Sequence, residues 1–416
     1  MLWLAPNSTP ITSFFPKMLR HLFKLIWNRK RNNLLLVSEI FFSFVVLFGV
    51  GTLLLTFAKY YLEPHGFDYE QVWRLEIRAG QNETMPRAQL DDVLRQVKAL
   101  PGIQQVALTS GNVPFIFNTN TSAFSYHGRK SGQSNIYDAD DHYAQVMKLH
   151  LREGRWFAKT DDGSHHRPVV ISQNLREELF GNGPALGKIF TWIEPGPNPN
   201  PEDEFQVTGV VDDVRMENDF GPAVPSLWKR LIPFDTTRWE TANVVVRVAP
   251  GEGGELQEKI ARTVAGVTRQ WTTMVRVMDE DRLHKRRYTI VPVAGLALVS
   301  VFLIVNVALG LFGVLWYNIS QRRAEIGLRR AMGATGPDIS RQFLGEMLVV
   351  TTFGVLLGGL LAVQFPLLNA FELAPKFYLA GIGVAAVAVY CITALCAFYP
   401  SRQAAGIHPA VALREE

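Results

Sequence analysis

An arginine-rich segment lies between two long apolar runs in the last third of the chain. The runs are residues 290–317 and 343–365, and Arg322, Arg323, Arg329 and Arg330 lie between them. Guanidinium groups are excluded from hydrocarbon, and arginine-rich loops beside membrane spans are retained in the cytoplasm. The pattern therefore predicts two membrane helices joined by a cytoplasmic loop at residues 318–342, hereafter the coupling loop.

Two further apolar runs are long enough to cross a bilayer. Residues 32–58 follow a basic cluster, and residues 377–398 follow a short segment, 366–376, with few charges. About 20 apolar residues span the hydrocarbon layer, so each run predicts one helix. Counting outward from the coupling loop places both termini in the cytoplasm and residues 59–289 outside. The tail 399–416 begins with Pro400 in its second position, which is expected to end the last helix.

The sequence before the first span divides into two parts. Residues 1–17 are interrupted by prolines and predict a disordered, dispensable leader, with Met18 as an alternative start. Residues 18–31 place apolar and basic side chains on opposite faces, which predicts an interfacial amphipathic helix. The first span lacks a small-residue cleavage site and is expected to be a retained signal anchor.

Composition is consistent with a membrane part joined to a folded polar part. The chain is 48% hydrophobic and carries a net charge of +4. Its basic residues crowd at the ends of apolar runs, which favours a role in membrane orientation over nucleic-acid binding. The two cysteines, Cys391 and Cys396, both lie in the last apolar run, so residues 59–289 must fold without a disulfide.

Strand and helix patterns alternate in residues 59–289. Strands are predicted at 69–78, 103–109, 168–172, 205–211 and 243–248, and helices at 86–100, 173–180 and 255–264. The proline-rich stretch 195–201 is expected to be a loop. The predicted fold is an α-helical membrane protein with four transmembrane helices and a large α+β extracytoplasmic domain inserted between the first and second helices.

Polar and small residues inside the spans suggest specific contacts. Glu39 in the first span either snorkels to a basic residue or takes part in coupling or a proton path. Asn306 in the second span is a candidate for an interhelical hydrogen bond or for simple packing. Gly354 with Gly358, and Gly381 with Ala385, have the spacing of close helix contacts, within one chain or in a dimer.

The sequence carries no pattern typical of a catalytic or metal site. Residues 181–188 resemble a phosphate-binding loop, but Asn182 replaces a required glycine and Ile189 the magnesium-binding hydroxyl. His165 and His166 are adjacent, which is poor geometry for joint metal binding. Asp138, Asp140, Asp141 and His142 could bind a cation, but acidic residues before a helical stretch are usually helix caps. The chain is therefore predicted to be non-catalytic and to bind no metal or cofactor.

Three motifs resemble the FtsX/MacB-type permeases of ABC transporters. Residues 322–335, with Asp338, Gln342 and Glu346, resemble the cytoplasmic signature of that family, and residues 399–414 resemble its C-terminal motif. The stretches 169–175, 179–181, 186–188 and 207–212 are similar to the MacB-type periplasmic core domain. Together the motifs cover nearly everything after Met18.

The resemblance implies a dimer, with itself or with a related permease, that works with separate ABC ATPase subunits carrying ATP and magnesium. The coupling loop would dock on the ATPase, with a helix continuing to Arg330, a turn at 333–336 and Pro337 as the first residue of the next helix. The residues assigned to coupling are Arg322, Arg323, Glu325, Ile326, Gly327, Arg329, Arg330, Met332, Gly333, Ala334 and Asp338.

The resemblance also implies a function in the cell inner (plasma) membrane. ATP-driven motion would be relayed outward to export or extract an amphiphile, a peptide or a lipoprotein. The alternative is an FtsX-like signalling protein that activates an extracytoplasmic hydrolase without moving a substrate. A periplasmic adaptor and an outer-membrane channel are further candidate partners, and Glu39 with the following residues departs from MacB enough that macrolides are not assigned as substrate.

Overall fold

The computed structural model describes residues 30–80, 85–117, 119–193, 203–231, 241–268, 271–368 and 370–405. The chain divides into a membrane unit, Met1–Thr56 with Val291–Glu416, and an extracytoplasmic unit, Phe57–Ile290. The expected leader, nearly all of the interfacial helix, the loop at 195–201 and the tail from residue 406 lie outside the described residues.

Four helices in the described part of the chain are long and apolar enough to cross a membrane. They are α1 (Lys30–Leu62), α6 (Met278–Gln321), α8 (Gly336–Ala362) and α10 (Pro375–Ala405). Short helices α7 (Arg323–Ala331) and α9 (Gln364–Leu367) connect them, and a 3₁₀ turn covers Ala370–Glu372. The predicted fold class, four spans with a mixed α/β domain between the first and second, is confirmed.

The last helix does not end at Pro400, and this expectation was wrong. Helix α10 runs through Pro400 to Ala405. Proline removes one backbone hydrogen bond and costs about 3 kcal/mol within a helix, but neighbouring contacts hold these last turns. Ser401 Oγ donates to Phe398 O at 3.0 Å and accepts from Ser340 Oγ of α8 at 2.9 Å.

Glycines let α1 approach the later helices closely. A Cβ at Gly354 or Gly358 of α8 would lie 2.5 Å from Ile40 or 2.4 Å from Phe44. A Cβ at Gly381 of α10 would lie within 2.1 Å of Thr52 Oγ1. Both small-residue pairs therefore include glycines that pack within this chain. Helices α8 and α10 are also joined by hydroxyls, with Thr351 Oγ1 3.0 Å from Thr393 Oγ1.

The extracytoplasmic unit contains one mixed sheet. Among the described residues its strands follow the order β13-β1-β12-β2-β6-β11-β8-β10-β9-β4-β5, with β3 beside β6 and β7 beside β10. The strands are β1 (Val72–Arg78), β2 (Ile103–Gly111), β3 (Thr121–Ser122), β4 (Phe124–Tyr126), β5 (Arg129–Lys130), β6 (Ser134–Ala139), β7 (Leu151–Gly154), β8 (Arg167–Ser172), β9 (Ile189–Trp192), β10 (Glu204–Val211), β11 (Ser226–Arg230), β12 (Thr241–Val248) and β13 (Thr272–Val277).

In the described part of the extracytoplasmic unit, four short helices accompany the sheet. They are α2 (Arg87–Lys98), α3 (Tyr143–Met147), α4 (Gln173–Phe180) and α5 (Gly254–Thr268). Leu90 and Val93 of α2 and Ile260 of α5 are buried in one core with β1, β2 and β12. Leu175 and Leu179 of α4 are buried in a second core with β8, β10 and β11. Most neighbouring strands are antiparallel, whereas β8 with β10 and β6 with β11 are parallel.

Candidate functional site

The coupling loop contains a separate helix rather than an extension of the second span. Helix α6 ends at Gln321, Arg322 leaves the helical conformation at φ −108° and ψ 17°, and α7 begins at Arg323. The expectation of one continuous helix to Arg330 was therefore wrong. The break at Arg322 accompanies an ion pair between its guanidinium and a carboxylate on α8.

A chain of polar contacts joins α7 to α8. Arg322 Nη1 lies 3.2 Å from Glu346 Oε1, and Gln342 Nε2 donates to the same oxygen at 3.2 Å. Arg329 Nη1 donates to Gln342 Oε1, and Arg329 Nη2 to Glu325 Oε1, each at 2.5 Å. The Glu346 and Arg322 side chains are only 10% and 13% exposed. Separating a buried ion pair leaves an uncompensated charge, which is costly. The network therefore holds α7 in this orientation against α8.

Helix α7 has one buried face and one exposed face. Ile326 is buried with Ile339 and Phe343 of α8, and Gly327 is buried beside it. On the other face Leu328 is 51% exposed and Met332 is 75% exposed. Exposed apolar side chains at the tip of a fixed helix are suited to a protein partner. Leu328 was missed in the sequence, because its apolar side chain was indistinguishable there from a core residue.

A tight turn separates α7 from α8. Gly333 has φ +102°, a conformation that favours glycine. Ala334 N donates to Arg329 O at 3.0 Å. Thr335 caps α8, since its backbone N–H and its hydroxyl both contact Asp338 Oδ2. The predicted turn is present, whereas α8 begins at Gly336, one residue before Pro337. Asp338 thus serves as a capping residue.

The remaining coupling candidates lie on the same short helix. Arg323 is exposed and Arg330 is partly exposed. The structure therefore brings the predicted coupling residues together on α7, the turn and the start of α8. Glu346 is a further residue that contacts this group. The only sign of it in the sequence was a lone carboxylate at the start of an apolar run.

The two polar residues predicted inside the spans lie on α1 and α6. A Cβ at Gly310 of α6 would lie 2.7 Å from Glu39 Oε2, so the carboxylate rests against the α6 backbone. Within the described residues Glu39 has no ion-pair partner. Asn306 Nδ2 donates to Phe302 O at 2.8 Å, a bond within α6 instead of between helices.

A second polar cluster joins the end of α1 to the start of α6 in the extracytoplasmic unit. Asp219 Oδ1 accepts from Arg282 Nε at 2.8 Å and lies 3.0 Å from His65 Nε2. The Asp219 side chain is 1% exposed. Burial raises the pKa of Asp219, but the hydrogen bonds from His65 and Arg282 outweigh burial and the net shift is downward. This cluster, hereafter the outer junction, holds a buried carboxylate in its charged form.

Arg215 completes the outer junction from the segment after β10. Its guanidinium donates to Pro64 O at 3.2 Å, to Asp219 O at 3.1 Å and to Glu63 O. Asp281 of α6 also pairs with Arg74 of β1 at 3.0 Å. The end of α1, the 215–219 segment and the first turn of α6 are thus held to one another. Sequence patterns missed the cluster because its members are distant along the chain, with His65 and Arg282 217 positions apart.

The described residues contain no group of three or more His, Cys, Asp or Glu side chains arranged to hold a metal ion. Asp140, one of the candidate ligands, instead accepts from Leu108 N at 2.7 Å and His142 N at 2.9 Å. Asp141 pairs with Arg230 at 2.7 Å.

Family models decide what kind of chain this is. The MacB-like periplasmic core domain matches residues 35–263, and the FtsX-like permease C-terminal domain matches residues 297–409. The chain belongs to the MacB/FtsX-type family of ABC transporter permeases. The first match covers nearly all of α1 and most of the sheet, and the second covers most of the three later spans with the coupling loop.

Individual relatives agree with the family assignment. The "Macrolide export ATP-binding/permease protein MacB 1/2" of Paracoccus denitrificans (strain Pd 1222) is 28% identical over 353 residues, which are 82% of this chain and 49% of that protein. The "Uncharacterized ABC transporter permease YvrN" of Bacillus subtilis (strain 168) is 24% identical over 351 residues, 78% of this chain and 79% of that protein. The chain thus spans about half the length of the MacB relatives that it matches.

A solved structure of the periplasmic region of MacB from Actinobacillus actinomycetemcomitans also matches. It has a TM-score of 0.36 and 15% sequence identity, and the match covers 53% of this chain and 94% of that one.

Proposed function

We propose that this MacB/FtsX-type permease is the membrane subunit through which a separate ABC ATPase drives its extracytoplasmic domain. ATP and magnesium would bind to the ATPase, and the permease would form a dimer with itself or a related chain. The observation that carries the proposal is α7, a helix fixed to α8 by charged contacts while its apolar tip, Leu328 and Met332, is exposed.

The two halves of the relay are supported by separate observations. The coupling loop offers the surface for the ATPase, and the boundary between the two units falls within continuous helices, α1 and α6. The outer junction then ties the ends of those helices to the 215–219 segment. Because an α-helix rises about 1.5 Å per residue, one helix carries displacement across the roughly 30 Å hydrocarbon layer.

We propose an amphiphile, a peptide or a lipoprotein as the substrate, exported or extracted at the outer face without a channel through the bilayer. The MacB relatives are named for macrolide export, but the match covers only about half of their length. The support for the broader class is the large extracytoplasmic domain on helices that cross the membrane.

The docking step is tested with the permease reconstituted beside its ATPase. Leu328→Asp and Met332→Asp place charges on the exposed tip and are expected to weaken ATPase binding by about 2 kcal/mol, or roughly thirtyfold, as for an interface hot spot. Leu186→Asp, at a comparably exposed apolar position in the extracytoplasmic unit, is the matched control. Unchanged ATPase binding and stimulation in both tip variants would remove the docking proposal.

The relay step needs a variant that leaves docking intact. Asp219→Ala breaks the outer junction, and it is expected to retain ATPase binding while export falls. Asp92→Ala, which removes a carboxylate that is 41% exposed on α2, should leave both unchanged. Normal export by Asp219→Ala would show that motion does not pass through the outer junction.

A further inference from the structure

An aromatic side chain from a distant loop lies beside the outer end of α6. Phe117 is 59% exposed. Its ring meets the Tyr288 ring edge-on, with centroids 4.9 Å apart. The Arg286 guanidinium lies 5.6 Å from the centre of the Tyr61 ring. Phe117 and Tyr288 form one group, hereafter the aromatic patch, and Arg286, which lies beside Tyr61, precedes Tyr288 by two residues in α6.

The loop that carries Phe117 is anchored from both sides. Val113 and Phe115 are buried, and Phe115 N donates to Met216 O at 2.7 Å. Phe115 has φ +63°, an unusual conformation for a bulky residue. Lys285 Nζ of α6 donates to Ile116 O at 2.5 Å. Because the residues before Phe117 are held, its exposed ring is kept beside α6.

The spacing of aromatic residues along α6 matches the thickness of a bilayer. Trp316 and Tyr317 are the aromatic residues near the cytoplasmic end of α6. The rise from Tyr288 to Trp316 is about 42 Å at 1.5 Å per residue. A bilayer with its headgroup layers is about 40–45 Å thick. Tyr288 and Trp316 therefore have the spacing of aromatic residues at the two membrane interfaces.

The charges around the patch agree with a lipid surface. Lys59, Arg286 and Arg287 lie within the last turn of α1 or the first turns of α6, close in sequence to Tyr61 and Tyr288. Long basic side chains at span ends reach anionic headgroups while their stems stay with the apolar layer.

We propose that the loop at residues 112–117 rests on the outer leaflet, with Phe117 inserted among the lipid headgroups as a third contact beside the two spans. The extracytoplasmic unit is thereby held to the bilayer at a point that is not a membrane helix. The proposal requires only the membrane-spanning fold and is independent of the ATPase.

Spin labelling of the full-length permease tests this contact. The background is Cys391→Ala with Cys396→Ala, which removes both native thiols, and the label is placed by Phe117→Cys, Tyr288→Cys or Leu186→Cys. Vesicles of phosphatidylethanolamine and phosphatidylglycerol hold the protein. The measured quantity is the ratio of collision with oxygen, which concentrates in lipid, to collision with a water-soluble nickel chelate.

The ratio is expected to exceed one at positions 117 and 288 and to lie below one at position 186. Leu186 is the control because it precedes β9, which lies toward the other end of the sheet from β13, the strand that leads into α6. A ratio at 117 equal to that at 186 would overturn the proposal. Exclusion of both reagents with spin–spin broadening would also overturn it, because a second copy would then cover the patch.

A conservative variant checks that the result at position 117 does not come from misfolding of the labelled protein. Phe117→Trp keeps an aromatic ring. The fluorescence that this tryptophan adds to that of the parent protein is expected to be quenched by lipids brominated near the headgroup. Excess fluorescence that brominated lipids leave unchanged would contradict insertion of the ring.

Discussion

Glu346 accepts contacts from Arg322 and Gln342 and links two ends of the coupling loop. We expect Glu346→Ala to lower the free energy of unfolding by about 3–5 kcal/mol, because Arg322 would be left buried and unpaired. Thermal unfolding in detergent measures the loss. Glu325→Ala removes an exposed carboxylate and should cost about 1 kcal/mol or less.

A double variant separates charge from shape at this position. Arg322→Leu with Glu346→Leu removes both charges, and apolar replacements of buried pairs are often neutral or stabilising. Stability should therefore return toward that of the parent. A double variant as unstable as Glu346→Ala would show that the pair is not the source of the loss.

Asp140 is expected to make the stability of the extracytoplasmic unit fall as the pH rises. Burial raises its pKa to about 6, although backbone N–H groups of Leu108 and His142 oppose the shift. The folded state binds the proton more tightly than the unfolded state, whose pKa is near 3.8. The contribution of Asp140 to the free energy of unfolding is therefore largest below about pH 4 and falls as the pH rises to about 6.

The matching measurement is the difference between the parent and Asp140→Asn in thermal unfolding from pH 4 to pH 7. About two pKa units correspond to about 3 kcal/mol at most. The parent should lose stability relative to the variant across pH 4–6 and run parallel to it above. Parallel curves across the whole range would show that Asp140 is not protonated in the folded protein.

At the scale of elements, α8 packs on α1 only where glycine lets it approach. A Cβ at Gly354 would lie 2.5 Å from Ile40, whereas a Cβ at Gly359 of the same helix meets nothing within 4 Å. Gly354→Ala is expected to cost about 1–3 kcal/mol through overpacking. Gly359→Ala should be neutral or stabilising by up to about 1 kcal/mol, since alanine favours the helix. Thermal unfolding of the two variants compares them directly, and equal stabilities would contradict the close α1–α8 contact.

Helix ends were harder to predict than helix positions. Apolar runs located all four spans, because about 20 consecutive apolar residues have few other stable environments. Polar extensions such as residues 278–289 of α6 did not show in hydropathy, and packing on Ser340 carried α10 past Pro400. At the start of α6 and at the end of α10, tertiary contacts outweighed the local preference of the sequence.

At the scale of the whole molecule, topology is the property that every proposal shares. Met332 is 75% exposed on the coupling loop, and Lys130 is exposed on β5. Each of them is replaced by cysteine in turn. In the cysteine-free background, a membrane-impermeant maleimide is expected to label position 130 from outside intact cells and position 332 only from inverted vesicles. Labelling of position 332 from outside would reverse the orientation derived from the arginines.

The sequence by itself determined the membrane class, the four spans, the inserted α+β domain and the location of the coupling loop. Hydropathy and charge act through local composition, so neighbouring residues along the chain carry that information. Only the tertiary structure decided that α7 is a separate helix, that Glu346 holds it, and that Asp219, His65 and Arg282 meet. The partners in these contacts are distant in sequence, and their pairing depends on how the helices and strands pack.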